Sequence, residues 1–180
     1  MISLVPAPPE NLFADMNSEN KRRHVFISHH HADDAEVDKL TSLLKQKGDD
    51  IRNSSIRAKP ANQRRLDEGQ VKDETIRRLL RMKISWAQTF VVLIGKETHS
   101  RPWVNWEIEQ AEKQNKRIVG VYVRGGTQAD IPPALEDYSN SIVAWNTDSI
   151  IAAIDGTANE FQGPDGSSRQ ATHEAVAVTC

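Results

Sequence analysis

The stretch Pro102-Trp-Val-Asn-Trp-Glu-Ile-Glu-Gln-Ala111 holds the side chains best suited to chemistry in this 180-residue sequence. At about 100° per residue, a helix here would align Val104, Ile108 and Ala111 as a tight apolar stripe. Glu109 and Glu112 would then face solvent. Glu107 would fall about 60° from Val104 and about 40° from Ala111, at the border of the buried face. Trp103 stands one turn before it. A carboxylate beside apolar and aromatic surface can act on a centre that becomes cationic, as the sugar does in glycosidic cleavage. Periodicity alone favours a boundary Glu paired with an Arg or Lys, and Trp103 and Trp106 as packing residues.

A second polar group is His29-His30-His31-x-Asp33-Asp34. Imidazole and carboxylate are metal ligands, but consecutive residues seldom face one centre and zinc sites need wider spacing. The expectation is therefore polar walls to a pocket and no metal. Other chemistries lack their residues. There is no G-x-G-x-x-G after a strand, no G-x-x-x-x-G-K-[ST] and no G-x-S-x-G, which argues against dinucleotide-binding Rossmann, P-loop and serine-hydrolase readings. A receiver domain would need an Asp where the central strand ends in Leu93-Ile-Gly-Lys-Glu97. Cys180, in a loose tail, makes a poor nucleophile.

The elements that position these residues follow from hydrophobic period. Strands are expected at His24–Ser28, Thr89–Gly95, Ile118–Val123 and Ser141–Trp145, with a weaker one at Ile51–Ile56. A helix capped by Asp33 or Asp34 buries Val37, Leu40 and Leu44 and stops at Gly48. Ile76, Leu79, Leu80, Ile84 and Ala87 keep helical spacing with Arg77, Arg78 and Arg81 outside. Pro102 suits the first turn of a helix running to about Lys116, and a short helix runs from Thr147 or Asp148 to Ile154. Such alternation predicts an α/β three-layer sandwich around a mostly parallel sheet of about five strands. Its ligand crevice lies beyond the carboxyl ends of the strands. That singles out Ser28–Asp34, the loop after Ile51–Ile56, Gly95–Trp106 and Arg124–Pro133.

Composition bounds the rest. One cysteine excludes a disulfide framework. No apolar run reaches the roughly 18 residues of a membrane span, and residues 1–20 lack the basic start of a signal peptide. A cytoplasmic protein with no membrane partner is expected. Residues 1–20 are expected to be a disordered tail, 21–156 the folded domain and 157–180 a flexible tail of Gly, Ser, Thr and Gln. Both tails are acidic, which leaves a net-positive middle whose excess is concentrated in Arg52–Lys83, with ten bases against four acids. No aromatic residues interleave there, so nucleic acid is not an expected partner.

Two strings carry a resemblance. Val25-Phe-Ile-Ser-His-His-His31 resembles the opening strand and loop of TIR domains. The run Phe90-Val-Val-Leu-Ile-Gly-Lys-Glu-Thr-His-Ser-Arg-Pro-Trp-Val-Asn-Trp-Glu-Ile-Glu109 is similar to the bacterial TIR-like branch that includes the TIR component of Thoeris anti-phage systems. The likeness runs from about Arg22 to Gly156. It implies a flavodoxin-like fold and cleavage of the nicotinamide–ribose bond of NAD⁺, with Glu107 as the catalytic glutamate. Phe26, Ser28, His29, His30, Asn53 and Trp103 become the implied substrate contacts. No cofactor is implied beyond NAD⁺ as substrate. The implied product is a linear or cyclic ADP-ribose-derived signal read by a separate effector, after a phage-derived trigger or assembly into a homo-oligomer. The alternative is a non-catalytic scaffold module. The chain departs from the family pattern at Ile51-Arg-Asn-Ser-Ser-Ile-Arg-Ala-Lys-Pro60, where many TIR domains have Arg-Asp-x-x-Pro-Gly. It departs again at His29-His30, where many have Tyr-Arg.

Overall fold

The uninterrupted apolar run Thr89–Ile94 becomes β3, the central strand of a five-stranded sheet, with all six residues buried. The computed structural model describes residues 22–29, 34–46, 50–53 and 73–171. The other strands are β1 (Arg22–Ser28), β2 (Asp50–Asn53), β4 (Arg117–Tyr122) and β5 (Ser141–Val143). They lie in the order β2-β1-β3-β4-β5, and every pairing is parallel. In register, Phe26 faces Phe90 and Ser28 faces Val92, while Val25 faces Asn53.

Five helices cover the sheet: α1 (Asp34–Gln46), α2 (Asp73–Ser85), α3 (Pro102–Lys113), α4 (Pro133–Tyr138) and α5 (Thr147–Asp155). Strand residues alternate between two cores, as the period of two requires. Phe26, Phe90, Val92, Ile94 and Ile118 pack under α2, α3 and α4. Val25, Ile27, Val91, Leu93 and Val119 pack under α1 and α5. The expected apolar stripes are the buried ones, Val37, Leu40 and Leu44 on α1 and Val104, Ile108 and Ala111 on α3. The start of α5 is fixed by Asn146, whose side chain accepts from the backbone N–H groups of Asp148 and Ser149. That satisfies two of the donors a helix start leaves open.

Residues 157–171 correct the expectation of a loose tail. Ile142 N–H donates to Glu160 O at 2.8 Å and Gln162 N–H donates to Ile142 O at 2.7 Å, which makes a parallel bridge on the outer edge of β5. Arg169 then grips Glu136 of α4 through two nitrogens, each at 2.9 Å. This strap covers an edge strand that would otherwise offer unpaired backbone groups.

Arg117, at the start of β4, is buried and holds this region together. Its guanidinium donates to Ala153 O, to Ala158 O at 2.9 Å and to Asn159 Oδ1 at 2.7 Å. Arg117→Ala would strand these acceptors beneath the strap. The expected cost is about 3 kcal/mol or more, read as a fall in Tm of roughly 6–12 °C. Calorimetry on the full chain checks it.

Candidate active site

The strand order places β1 and β3 side by side with their helical connections leaving in opposite directions. That is the switch point at which doubly wound sheets open a crevice beyond the strand ends. Ser28 is the last residue of β1 and is buried. Strand alternation aims its side chain toward the α3 side, the side Phe26 also faces. Glu107 comes from the middle of α3 and meets it there. Ser28 Oγ–H donates to Glu107 Oε2 at 2.5 Å.

The loop between β3 and α3 sets where Glu107 arrives. Thr98, fully buried in a short 3₁₀ turn, accepts from Gly95 N–H and donates to Gly95 O, both at 2.9 Å. Asp130 reaches across from the next loop and accepts from Glu97 N–H at 3.0 Å and from the Thr127 hydroxyl at 2.7 Å. Burial opposes ionisation of Asp130, but these hydrogen bonds outweigh it and hold the carboxyl below its usual range. Pro102 then opens α3 with its φ already helical. Further along, Asn105 Oδ1 accepts from Ala134 N–H at 3.2 Å, which locks α3 to α4.

Glu107 as a whole residue is partly exposed, but its carboxyl is enclosed. Desolvation pushes it from an ordinary 4.5 up to about 7, and the Ser28 hydrogen bond pulls in the opposite direction. A carboxyl poised there is ionised in part at neutral pH. It can accept a proton or a hydroxyl hydrogen bond and can face a developing cation. Ser28→Ala removes the one contact that favours the anion, so the Glu107 carboxyl is expected to titrate higher still. Carbon-detected NMR of the side-chain carboxyl follows that shift directly.

The other expected site residues divide. Trp103, one turn before Glu107, keeps 38% of its surface exposed. It meets Trp106 edge to face at 5.8 Å, and the Arg77 guanidinium lies over both rings, 5.3 Å from Trp103 and 5.1 Å from Trp106. Arg77 was expected to point outward from its helix. It is instead a clasp between α2 and α3, of a kind worth about 0.5–2 kcal/mol. Phe26 does not line the crevice. It is 1% exposed and stacks on Phe90 at 5.2 Å within the core.

His29 is held away from Glu107. Its Nε2 lies 2.8 Å from Asp34 Oδ1 and its Nδ1 lies 3.0 Å from Ile27 O, so the ring is committed to the first turn of α1. Asn53 ends β2, two strands from β3, and only its backbone is described. His30 lies outside the described residues, as do His31 and Asp33. Among the described residues no group of three or more His, Cys, Asp or Glu side chains could hold a metal ion. None of the described helices is long and apolar enough to cross a membrane.

With this geometry in hand, comparison with known proteins places the chain. The profile of the family described as Thoeris protein ThsB, TIR-like domain, matches residues 26–128. That span exceeds half the chain and includes Ser28, Trp103 and Glu107. No curated protein sequence matches significantly. Similar solved structures include the Clostridium botulinum CMP N-glycosidase BcmB, at 16% identity over 74% of this chain and 98% of that one, with a TM-score of 0.44. The RPS4 and RRS1 TIR domain heterodimer is also similar, at 16% identity over 61% of this chain and 72% of that one, with a TM-score of 0.41. A prokaryotic SEFIR domain is similar at 16% identity over 73% of this chain and 86% of that one, with a TM-score of 0.41. The profile match, which spans the strands and helices that build the crevice, shows that the chain belongs to the TIR-like domain family of the Thoeris protein ThsB.

Proposed function

We propose that this domain cleaves the bond between nicotinamide and ribose in NAD⁺, with Glu107 as the catalytic group. One observation carries the reading: the desolvated Glu107 carboxylate sits against Ser28 at the β1/β3 crevice. Nicotinamide departs with the bonding electron pair and becomes neutral, so positive charge moves onto the ribose. The ionised Glu107 accepts a hydrogen bond from a ribose hydroxyl and stabilises that charge. Ser28 keeps the carboxylate from turning away, and Trp103 stands beside the bound pyridinium. Water, or a nucleophilic atom of the ADP-ribosyl group itself, then forms the new bond at the anomeric carbon. The linear or cyclic product is a signal for another protein of the defence system, made in the cytoplasm after a phage-derived trigger or self-association. No further cofactor is needed, because nicotinamide is a competent leaving group.

The test is nicotinamide release from NAD⁺ by the full chain, with and without extract from phage-infected cells, alongside free nucleosides as rival substrates. Release from NAD⁺ in at least one condition is the expected result. Turnover of nucleosides with NAD⁺ untouched would replace this reading with a nucleosidase.

A second reading, an assembly module, is favoured by one feature. Leu79 and Met82 on α2 and Trp86 just past its end are exposed apolar side chains at three- and four-residue spacing, and such patches mark protein contacts. Under that reading, defence output survives Glu107→Gln and is lost when Leu79 and Met82 become charged.

A further inference from the structure

On the side of the sheet away from Glu107, between α1 and the carboxyl ends of β4 and β5, lies a cleft of about 480 Å³. Its size falls within the range of roughly 300–1,000 Å³ typical of small-molecule sites. Val123, Trp145 and Pro164 supply its apolar lining, and Arg124, Lys39 and Glu36 its charged one. Trp145 and Pro164 also wall a neighbouring cleft of about 400 Å³, so the indole separates two hollows. Trp145 is half-buried and braced against the core shared by α1 and α5, which gives a ligand ring a rigid surface to stack on.

Arg124 is carried by a fixed turn. Gly126 N–H donates to Val123 O at 3.0 Å, and Gly125 has φ +85°. These are the marks of a type II turn, which needs glycine at its third position. A side chain at Gly126 would collide with Ile94 O, at 2.1 Å from its Cβ. Arg124, the second residue of this turn, is therefore presented outward by a backbone with little freedom. Lys96 approaches from the end of β3, with its Cε 3.9 Å from where a Gly125 Cβ would stand. Neither Arg124 nor Lys96 makes a hydrogen bond or ion pair among the described residues. Lys39 differs, because Glu36 pairs with it at 2.6 Å and offsets its charge. Two polar side chains of the neighbouring hollow are already used. Asn146 caps α5, and Gln162 bonds Ala144 and Glu160.

An uncommitted arginine on the cleft lining, a second uncommitted cation, Lys96, against the turn that carries it, and a rigid indole with apolar walls call for a ligand that joins a flat ring to a compact anion. We propose that this cleft is a second binding site, distinct from the Glu107 crevice, for a nucleoside monophosphate. The base stacks on Trp145, and the phosphate takes charge-assisted hydrogen bonds from Arg124 and Lys96. Occupancy does not depend on cleavage at Glu107, so failure of one proposal leaves the other standing.

The experiment is isothermal titration of the full chain with AMP, adenosine and inorganic phosphate, on wild type, Arg124→Glu, Lys96→Glu and Glu107→Gln. Wild type and Glu107→Gln are expected to bind AMP equally. Each charge reversal should weaken it at least tenfold, and adenosine or phosphate alone should bind at least tenfold less tightly. Melting curves establish that the variants are folded, which both exposed positions favour. Loss of AMP binding in Glu107→Gln with retention in the charge reversals would place the nucleotide in the catalytic crevice and overturn the proposal. So would AMP binding indifferent to both reversals, or none by wild type.

Discussion

At pH 8 the Glu107→Gln variant is expected to be more stable than the wild type, and at pH 4 the two should melt together. The folded-state carboxyl of Glu107 titrates near 7 rather than 4.5 because it is desolvated. Its folded value is raised, so the native state holds the proton more tightly than the unfolded chain does. The stability that this confers is complete below 4.5 and is lost as pH rises through about 7. Above 7 the wild type keeps an anion buried with one hydrogen bond from Ser28. The span from 4.5 to 7, at about 1.36 kcal/mol per pH unit, amounts to roughly 3 kcal/mol. A glutamine has nearly the same shape, can still accept from Ser28, and carries no charge to desolvate. The difference in Tm should therefore open between pH 4.5 and 7 and reach about 6–12 °C at pH 8. Comparing the two proteins at each pH cancels the titration of every other group. A gap of the same size at pH 4 and pH 8 would mean that the carboxyl is not desolvated.

The same substitution should remove activity while it adds stability, as happens where a functional group is held in an unfavourable state. A carboxylate that faces developing positive charge loses that attraction when it becomes a neutral amide. Loss of a single preorganised electrostatic group costs about 10²–10³-fold in rate, and a full charge in an enclosed site belongs at the upper end. The pH dependence has a definite sign. In the proposed reaction Glu107 works ionised, so wild-type turnover should fall about tenfold for each pH unit below 7 and level off above it. Ser28→Ala should move that limb to higher pH, because it withdraws the hydrogen bond that favours the anion. A purely packing role for Ser28 would lower the rate without moving the limb.

How far the residues disclose this site depends on whether the interaction is local. The border position of Glu107 is a property of one helix, and the buried stripe of Val104, Ile108 and Ala111 is the one its spacing requires. The fate of His29 is also local in origin. It shares a strand face with Ile27 rather than with Ser28, so it is carried to the α1 side and to Asp34. The clasp of Arg77 on Trp103 and Trp106 joins two helices whose mutual angle no periodicity encodes. The strap shows the limit of composition. Its glycines and serines resemble those of a loose tail, but Phe161 bridges Ile142 through backbone groups and Arg169 finds Glu136 33 residues away. Helix α4 has six residues, too few for a helical period to register.

The central claim is that the Glu107 carboxylate performs the chemistry at the β1/β3 crevice. The measurement that meets it most directly is mass-spectrometric analysis of products from NAD⁺, for wild type and Glu107→Gln, each with extract from phage-infected cells. The account predicts nicotinamide and an ADP-ribose-derived product from the wild type, and at least a hundredfold less of both from a folded Glu107→Gln protein. Equal amounts of the same products from both proteins would contradict it.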